Sequence, residues 1–224
     1  MKIKKPNHPV LHLYAHVGTP QLVMFIALFL VLILPVFTSD RYSLISTVFD
    51  SFYLGAVFYL AKSHNPRHLR LIGLFVVIAF VDSWTSYFGF KLGNEYDFII
   101  PLILLLLSFI YVSKSLLKNN EVDIDTVISA ISGYILIGLS FGILFYILEV
   151  SISGNYSGAG SDLTYFGAIY FSFVTMSTLG YGDILPISEA ARSLVIITTL
   201  VGQFYMAIIV GIIVGKFISS RKNE

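Results

Sequence analysis

Apolar residues occur along the chain in long runs, and polar residues collect in the short stretches between them. Six runs are long enough to cross the hydrocarbon core of a bilayer, which takes about 20 residues of helix. They are residues 21–37, 43–61, 69–90, 97–117, 126–150 and 189–218. A seventh run, at 163–176, is too short to cross. The pattern therefore predicts six transmembrane helices and one re-entrant half-length helix.

The composition also indicates that the chain lies in a lipid bilayer. Of the 224 residues, 56% are hydrophobic and 12% are charged, and the mean hydropathy is +0.84. A soluble core cannot hide that much apolar surface, so we expect an all-α membrane protein with the lipid bilayer as its partner. The absence of cysteine excludes disulfides and thiolate metal sites. A net charge of +1 gives no basis for nucleic-acid binding, and we expect neither a catalytic site nor a cofactor.

Positive charges are divided unequally between the two sides of the predicted spans. Eleven lysines and arginines fall on one side, and they are Lys2, Lys4, Lys5, Lys62, Arg67, Arg70, Lys114, Lys118, Lys216, Arg221 and Lys222. Three fall on the other side, and they are Arg41, Lys91 and Arg192. Because cytoplasmic loops carry the excess of positive charge, both termini are predicted to be cytoplasmic. A signal peptide over residues 1–37 is the competing interpretation, but no small-residue cleavage pattern follows its long polar leader.

A glycine-containing run stands between two predicted spans at residues 178–183. It reads Thr-Leu-Gly-Tyr-Gly-Asp and resembles the selectivity filter of potassium channels, whose signature is Thr-Val-Gly-Tyr-Gly. Leu179 replaces the usual valine. Residues 170–177 resemble the pore helix that precedes such a filter, and Asp183 and Pro186 follow it as in the family. The alternative, a tight turn of a soluble loop, fits this membrane setting poorly.

The resemblance implies a potassium-binding filter built from four identical chains. Backbone carbonyls replace the hydration shell of the ion in such filters, and the implied residues here are Thr178, Leu179, Gly180, Tyr181 and Gly182. One chain supplies one wall, so a homotetramer is implied. Carbonyls that point at one axis need alternate left-handed backbone angles, which Gly180 and Gly182 adopt without a Cβ clash. The side chains of Leu179 and Tyr181 are then expected to point outward into surrounding protein.

The resemblance also implies a set of residues that support the filter. Asp183 resembles the family's acid behind the filter, and Tyr170 occupies the position of the aromatic donor that holds it. Thr175 lies in the last turn of the predicted pore helix. Val174 stands where some relatives have glutamate, which removes one partner of the acid.

The last span is predicted to line an inner pathway. Gly202 matches the family's hinge glycine, and spacing from the filter places Gln203, Met206, Val210, Val214 and Ile218 on one helical face. Below Gln203 this face is apolar, so its narrowing would stop ions by expelling water. The alternative is a packed or lipid-facing stripe, since apolar residues cover every face of this helix. Close helix packing is predicted at five glycines, which are Gly133, Gly138, Gly142, Gly211 and Gly215.

The chain is predicted to consist of two domains. Residues 1–118 form a four-helix transmembrane domain, and residues 119–224 form the pore domain. Residues 98–113 in the fourth span contain no charge, whereas a voltage sensor carries several arginines there. Lys114 and Lys118 lie at the cytoplasmic end. We therefore expect no steep voltage dependence.

Two acids within the first domain are candidate sensors. Asp50 and Asp82 lie at similar depth in the second and third spans. They either hydrogen-bond between helices or sense protons or cations. The histidines are also open to two interpretations, as interfacial side chains or as an internal pH or metal sensor. They are His8, His12, His16, His64 and His68.

The polar connectors carry further predictions. Asp123 or Asp125 is expected to cap the fifth span, with a low-affinity divalent-cation site formed by these acids and Glu121 as the alternative. Ser161 or Asp162 is expected to cap the pore helix. The Gly- and Ser-rich stretch 151–161 is predicted to be a flexible extracellular turret, and it contains an Asn155-Tyr156-Ser157 glycosylation sequon.

Together these features predict a voltage-insensitive potassium channel in the plasma membrane, conducting passively as a homotetramer. Two alternatives remain open at this point. One is a non-conducting regulatory subunit of other channels. The other is a pore-loop potassium carrier, which a single filter motif disfavours because such chains usually hold four imperfect repeats.

Overall fold

The computed structural model describes residues 19–38, 43–64, 69–90, 98–118, 123–158 and 163–221. Seven helices account for most of them, and two strands of three residues follow the fifth and sixth helices. The helices are α1 (Pro20–Phe37), α2 (Leu44–His64), α3 (Leu69–Tyr87), α4 (Ile99–Lys118), α5 (Ile124–Ser151), α6 (Tyr165–Met176) and α7 (Glu189–Arg221). The strands are β1 (Tyr156–Gly158) and β2 (Ile184–Pro186).

Six of these helices are long and apolar enough to span a membrane, as the sequence predicts. The boundaries follow local chemistry. Thr19 caps α1 ahead of Pro20, and Asp123 caps α5 by accepting from the Thr126 amide at 2.7 Å, so the prediction of an acidic cap is confirmed. Helix α3 ends at Tyr87, before the predicted residue 90, because Gly89 turns the chain with a φ of +84°.

Helix α6 begins later than predicted. Its N-cap is Thr164, whose hydroxyl accepts from the Gly167 amide at 3.0 Å. The prediction of a cap at Ser161 or Asp162 is therefore wrong, and these two residues lie outside the described part of the chain. With 12 residues, α6 is too short to cross a bilayer.

The strands contradict the expectation of a flexible stretch after α5. β1 pairs with β2 antiparallel, in the register Tyr156↔Pro186, Ser157↔Leu185 and Gly158↔Ile184. Residues 156–158 are thereby fixed against the segment that directly follows residues 178–183. The strands lie at the same end of the molecule as the last turn of α5 and the first turn of α7. We call this the strand end.

The main core lies between α1, α2, α4 and α5. Its fully buried members include Met24, Leu28, Leu60, Leu104 and Leu136. A second cluster packs beneath the strands and contains Phe145, Tyr156, Ala168, Phe171 and Ala191. A third, of Leu116, Ala130 and Ile209, lies near the opposite end. The second cluster positions α6 and the loop that follows it.

Polar contacts bring four helix ends together at the end opposite the strands. The Thr19 hydroxyl donates to Asp125 at 3.2 Å, joining the starts of α1 and α5. Gln21 donates to Ser115 near the end of α4 at 2.8 Å, and the Lys216 ammonium donates to the Leu116 carbonyl at 2.7 Å. The ends of α4 and α7 therefore lie beside the starts of α1 and α5.

Candidate functional site at the loop after α6

The loop at residues 178–183 has an alternating backbone. Positive φ angles occur at Thr178 (60°), Gly180 (58°) and Gly182 (80°). Such alternation turns successive carbonyls toward one side of the chain, which is the arrangement that a line of ion-binding oxygens requires. Left-handed angles were predicted for the two glycines, and that prediction is confirmed.

The positive φ of Thr178 is the feature of the loop that sequence reasoning missed. Among the described residues Thr178 is the only non-glycine with a positive φ, and a β-branched side chain makes that conformation costly. Local backbone strain of about 1–3 kcal/mol persists only when the surrounding structure imposes it. The one signal in the sequence was the two-residue period, because Thr178, Gly180 and Gly182 follow one another at that interval.

The end of α6 imposes this geometry through its free carbonyls. The Ser177 amide donates to the Phe173 carbonyl at 2.9 Å, and the Thr178 amide donates to the Thr175 carbonyl at 3.0 Å. The amides of Leu179 and Gly180 both donate to the Val174 carbonyl, at 3.0 and 3.3 Å. The base of the loop is therefore an extension of the hydrogen-bonded helix end. Thr175, a predicted support residue, contacts the loop through its backbone oxygen.

The far end of the loop is held by a side-chain pair. The Tyr170 hydroxyl donates to Asp183 Oδ2 at 2.7 Å, and Asp183 Oδ1 accepts from the Ile184 amide at 3.2 Å. The contact expected between these two side chains is thus present. Val174 is buried with 8% exposure, so its position beside the loop is apolar.

Leu179 and Tyr181 are 55% and 67% exposed, so the described part of this one chain leaves both largely uncovered. The expectation that surrounding protein encloses them stays a prediction. A Leu and a Tyr exposed side by side next to a constrained backbone form an apolar surface of the kind that subunit contacts cover.

Helix α6 is fixed against α5 by close contacts. The Ser172 hydroxyl donates to the Gly138 carbonyl at 2.7 Å, and both groups are buried. A Cβ atom at Gly138 would overlap the ring of Phe173, and one at Gly142 would lie 2.8 Å from Ile169 Cα. The predicted close packing at these two glycines is confirmed.

Helix α7 packs on the same scaffold. The Tyr205 hydroxyl donates to the Ala130 carbonyl at 2.7 Å, and a Cβ atom at Gly133 would overlap that hydroxyl, so the packing prediction also holds there. At Gly202 an added Cβ would overlap the Met176 side chain and lie 2.7 Å from its carbonyl oxygen. Gly202 therefore permits the approach of α7 to the end of α6. No neighbour lies within 4 Å of a Cβ built at Gly211 or Gly215, so the packing predicted there is absent within the described chain.

The five side chains predicted to line an inner pathway lie on an exposed surface of α7. Met206, Val210, Val214 and Ile218 are between 49% and 61% exposed, and Gln203 is also exposed. The exposed surface is wider than the predicted stripe, because Phe204 and Ile208 are 61% and 59% exposed on a neighbouring face.

The two candidate sensor acids lie on adjacent helices. Asp50 on α2 and Asp82 on α3 are both half-buried. Next to Asp50, the Ser51 hydroxyl accepts a hydrogen bond from the Trp84 indole at 3.2 Å, which joins the two helices at this level. The sensor role of the two acids stays a prediction.

Other candidate ligands fall largely outside the described residues. These are His8, His12, His16, His68 and Glu121, and the side chain of His64 at the end of α2 is also not described. Within residues 19–38, 43–64, 69–90, 98–118, 123–158 and 163–221, no group of three or more His, Asp or Glu side chains is placed to hold a metal ion.

Known proteins resemble the segment that contains the loop. Residues 133–219, from α5 through α7, match the family model described as "Ion channel". Two-pore potassium channel 4 of Arabidopsis thaliana is 32% identical over 89 residues, covering 40% of this chain and 30% of that protein. Two pore potassium channel c of Oryza sativa subsp. japonica is 36% identical over 77 residues, covering 34% and 16%.

A bacterial protein gives a shorter match. Voltage-gated potassium channel Kch of Escherichia coli (strain K12) is 44% identical over 57 residues, covering 25% of this chain and 14% of that protein. The chain thus spans less than a third of the length of each of these three relatives. No solved structure gives a significant match.

Proposed function

We propose that the chain is a potassium-selective, voltage-insensitive channel that conducts passively as a homotetramer, since residues 133–219 match the ion channel family model and the relatives are potassium channels. The observation that carries this proposal is the alternating backbone at Thr178, Gly180 and Gly182. A loop that turns its carbonyls to one side is what stripping water from potassium requires, and this is the established mechanism of such filters. The ion-binding groups are the backbone oxygens of residues 178–182 and the Thr178 hydroxyl.

Four copies complete the site. One loop offers a single line of oxygens, whereas a dehydrated cation needs oxygens on all sides. The exposure of Leu179 and Tyr181 supports the same stoichiometry, since a neighbouring copy that covered them would brace the loop from behind. In this assembly α6 is a re-entrant helix, and protein walls the irregular backbone off from lipid.

The inner pathway is proposed to follow the exposed stripe of α7. Gln203 supplies the polar side chain nearest the filter. From Met206 to Ile218 the stripe is apolar, so its closure around the axis would stop ions by dewetting. Gly202 allows α7 to approach the filter base from below.

Voltage insensitivity follows from the charges of α4. Moving one charge across the field is worth about 2.3 kcal/mol per 100 mV, so steep gating needs several charges within the span. Helix α4 carries only Lys114 and Lys118, both near its end, and the Lys114 ammonium lies 5.7 Å from the centroid of the Tyr111 ring. Both follow residues 99–113 of the helix, which carry no charge, and this distribution supports voltage insensitivity.

We place the protein in the plasma membrane with both termini cytoplasmic. The excess of eleven positive residues over three supports this orientation. So does the grouping of the starts of α1 and α5 with the ends of α4 and α7, since these helix ends then share one side. The strand end is thereby extracellular. So is the end of the loop at Asp183, which we call the filter exit.

Bilayer recording of the purified protein tests the proposal. With unequal potassium concentrations on the two sides, balanced by sodium, we expect rapid unitary currents that reverse near the potassium equilibrium potential and show no steep voltage dependence. Slow coupled flux would instead indicate a carrier, silence would indicate a regulatory subunit, and equal sodium and potassium permeability would refute the filter.

A matched pair of variants ties the current to the loop. Gly180→Ala places a Cβ on a residue with a φ of 58°, so it should abolish selective current. Gly55→Ala on α2 makes the same chemical change where no atom lies within 4 Å of the new Cβ, and it should leave the current unchanged.

A further inference from the structure

Asn155, the first residue of the sequon, is buried with 3% exposure at the strand end. Its side-chain amide nitrogen donates to the carbonyl of Leu148, in the last turn of α5, at 3.0 Å. It also donates to the carbonyl of Ile152, the residue that directly follows α5. Its side-chain oxygen accepts from the Ser188 hydroxyl, directly before α7. The side chain is thus fully engaged and closed to solvent, so it bridges two helices instead of offering a glycan acceptor.

Glu149 completes the same cluster from the last turn of α5. It is 6% exposed, and its two carboxyl oxygens accept from the backbone amides of Gly154 at 3.1 Å and Asn155 at 2.9 Å. A buried carboxyl needs such partners, because burial without them is costly. Glu149 therefore fixes the turn that presents Asn155 to Ser188.

The backbone of Asn155 continues the connection toward the filter. Its carbonyl accepts from the amides of Ile187 at 2.8 Å and Ser188 at 3.4 Å, and the β1–β2 pairing begins at the next residue. The pairing ends at Gly158, where a Cβ would overlap the carbonyl of Asp183. The segment anchored by Asn155 thus lies against the last residue of the loop.

We propose that Glu149, Asn155 and Ser188 form a filter lock that positions the filter exit and keeps the pore conductive. The lock joins α5, β1, β2 and α7, because the Ser188 hydroxyl also accepts from the Ala191 amide at 3.1 Å in the first turn of α7. A loop with left-handed angles at three positions relaxes unless both of its ends are fixed. Helix α6 fixes the start of the loop at Thr178, and the filter lock fixes the filter exit at Asp183. These are positioning residues, and their effect on conduction rests on the proposed channel function.

Two substitutions of graded severity test the filter lock. Ser188→Ala removes the side-chain bond to Asn155 and also the acceptor of the Ala191 amide, and Asn155→Ala removes all three side-chain bonds of Asn155. A neutral hydrogen bond is worth about 1 kcal/mol, which is about fivefold in an equilibrium constant. Ser157→Ala is the matched control, because it destroys the same sequon while Ser157 is exposed and its side chain lies outside the lock.

The first measurement is amide hydrogen exchange of the purified tetramer, which does not depend on conduction. We expect exchange at residues 184–188 to rise about fivefold in Ser188→Ala and more in Asn155→Ala, with α1 to α4 unchanged. Ser157→Ala should match the wild type. Unchanged exchange at 184–188 in both lock variants would overturn the proposal.

The second measurement is the loss of current during sustained recording. Both lock variants should lose current faster than the wild type, and high external potassium should slow that loss because bound ions brace the loop. Glu149→Gln keeps one acceptor oxygen and should retain more current than Glu149→Met, which has a similar size but accepts no such hydrogen bonds, so a general packing defect would not predict the difference. Identical decay in all variants would overturn the conductive role. A wild type without potassium current would refute the channel function instead, and hydrogen exchange alone would then decide whether the lock exists.

Discussion

The contact between Gly202 and Met176 makes a prediction that separates packing from hinge bending. In Gly202→Ala the new Cβ would overlap the Met176 side chain and lie 2.7 Å from the Met176 carbonyl oxygen. The methionine side chain can move, but its carbonyl belongs to the last turn of α6, directly before the loop at residues 178–183. Overpacking of this kind costs about 1–3 kcal/mol.

Helix propensity acts in the opposite direction. Replacing glycine by alanine inside a helix gains about 0.8–1.0 kcal/mol, and Gly211→Ala on the same helix should obtain this gain alone, since no neighbour lies within 4 Å of its Cβ. The difference between the two variants is therefore the overpacking cost. For a chain of this size it corresponds to a melting temperature about 2–12 °C lower in Gly202→Ala than in Gly211→Ala.

Thermal unfolding of the detergent-purified protein measures this difference. Gly202→Ala should cost less stability in a Met176→Ala background than in the wild type, because the side-chain overlap is then absent while the carbonyl stays in place. Equal melting temperatures for Gly202→Ala and Gly211→Ala would refute the packing account. Altered gating with unchanged stability would then favour a hinge at Gly202.

Three further predictions concern the loop, the inner stripe and the sensor acids. Tyr170→Phe removes the hydrogen bond to Asp183, so potassium selectivity measured by reversal potential should fall while tetramer assembly is retained. Val214→Asp places a charge in the apolar stripe and should raise closed-state leak in liposome flux, whereas unchanged leak would argue against a gate there. Asp50→Asn and Asp82→Asn should alter the response of open probability to external pH, and unchanged gating and assembly would reject the sensor role.

Hydropathy predicts the spans well because each depends on the local run of apolar residues. Every observed spanning helix begins and ends within three residues of its predicted bounds, as in Glu189–Arg221 against 189–218. The departures have local causes. Gly89 ends α3 early. Thr164 caps α6, so this helix begins at Tyr165 instead of the predicted residue 163. The division into domains at residue 118 stays a prediction, since residues 119–122 lie outside the described chain.

The candidate site was only partly predictable. The residue type of Gly180 and Gly182 indicates their backbone freedom, and the resemblance to potassium channel filters paired Tyr170 with Asp183. The positive φ of Thr178 could not be read from a threonine, because the carbonyls at the end of α6 impose it. The Asn155 and Ser188 side chains meet across 33 residues, and such pairings follow from tertiary packing that local patterns do not record.

Helices α1 to α4 contact α5, α6 and α7 at both ends of the molecule, which limits how a stimulus could reach the proposed pore. At the strand end, the Phe98 ring lies 4.9 Å from that of Tyr146 and 6.1 Å from that of Tyr165, the first residue of α6. At the other end, Lys216 on α7 donates to the Leu116 carbonyl of α4, where the helix dipole favours a cation. Movement of α4 would therefore disturb the start of α6, the end of α7, or both. Since coupling needs a contact that changes between states, we expect these two contacts to be where the first four helices would act on the proposed filter and inner pathway.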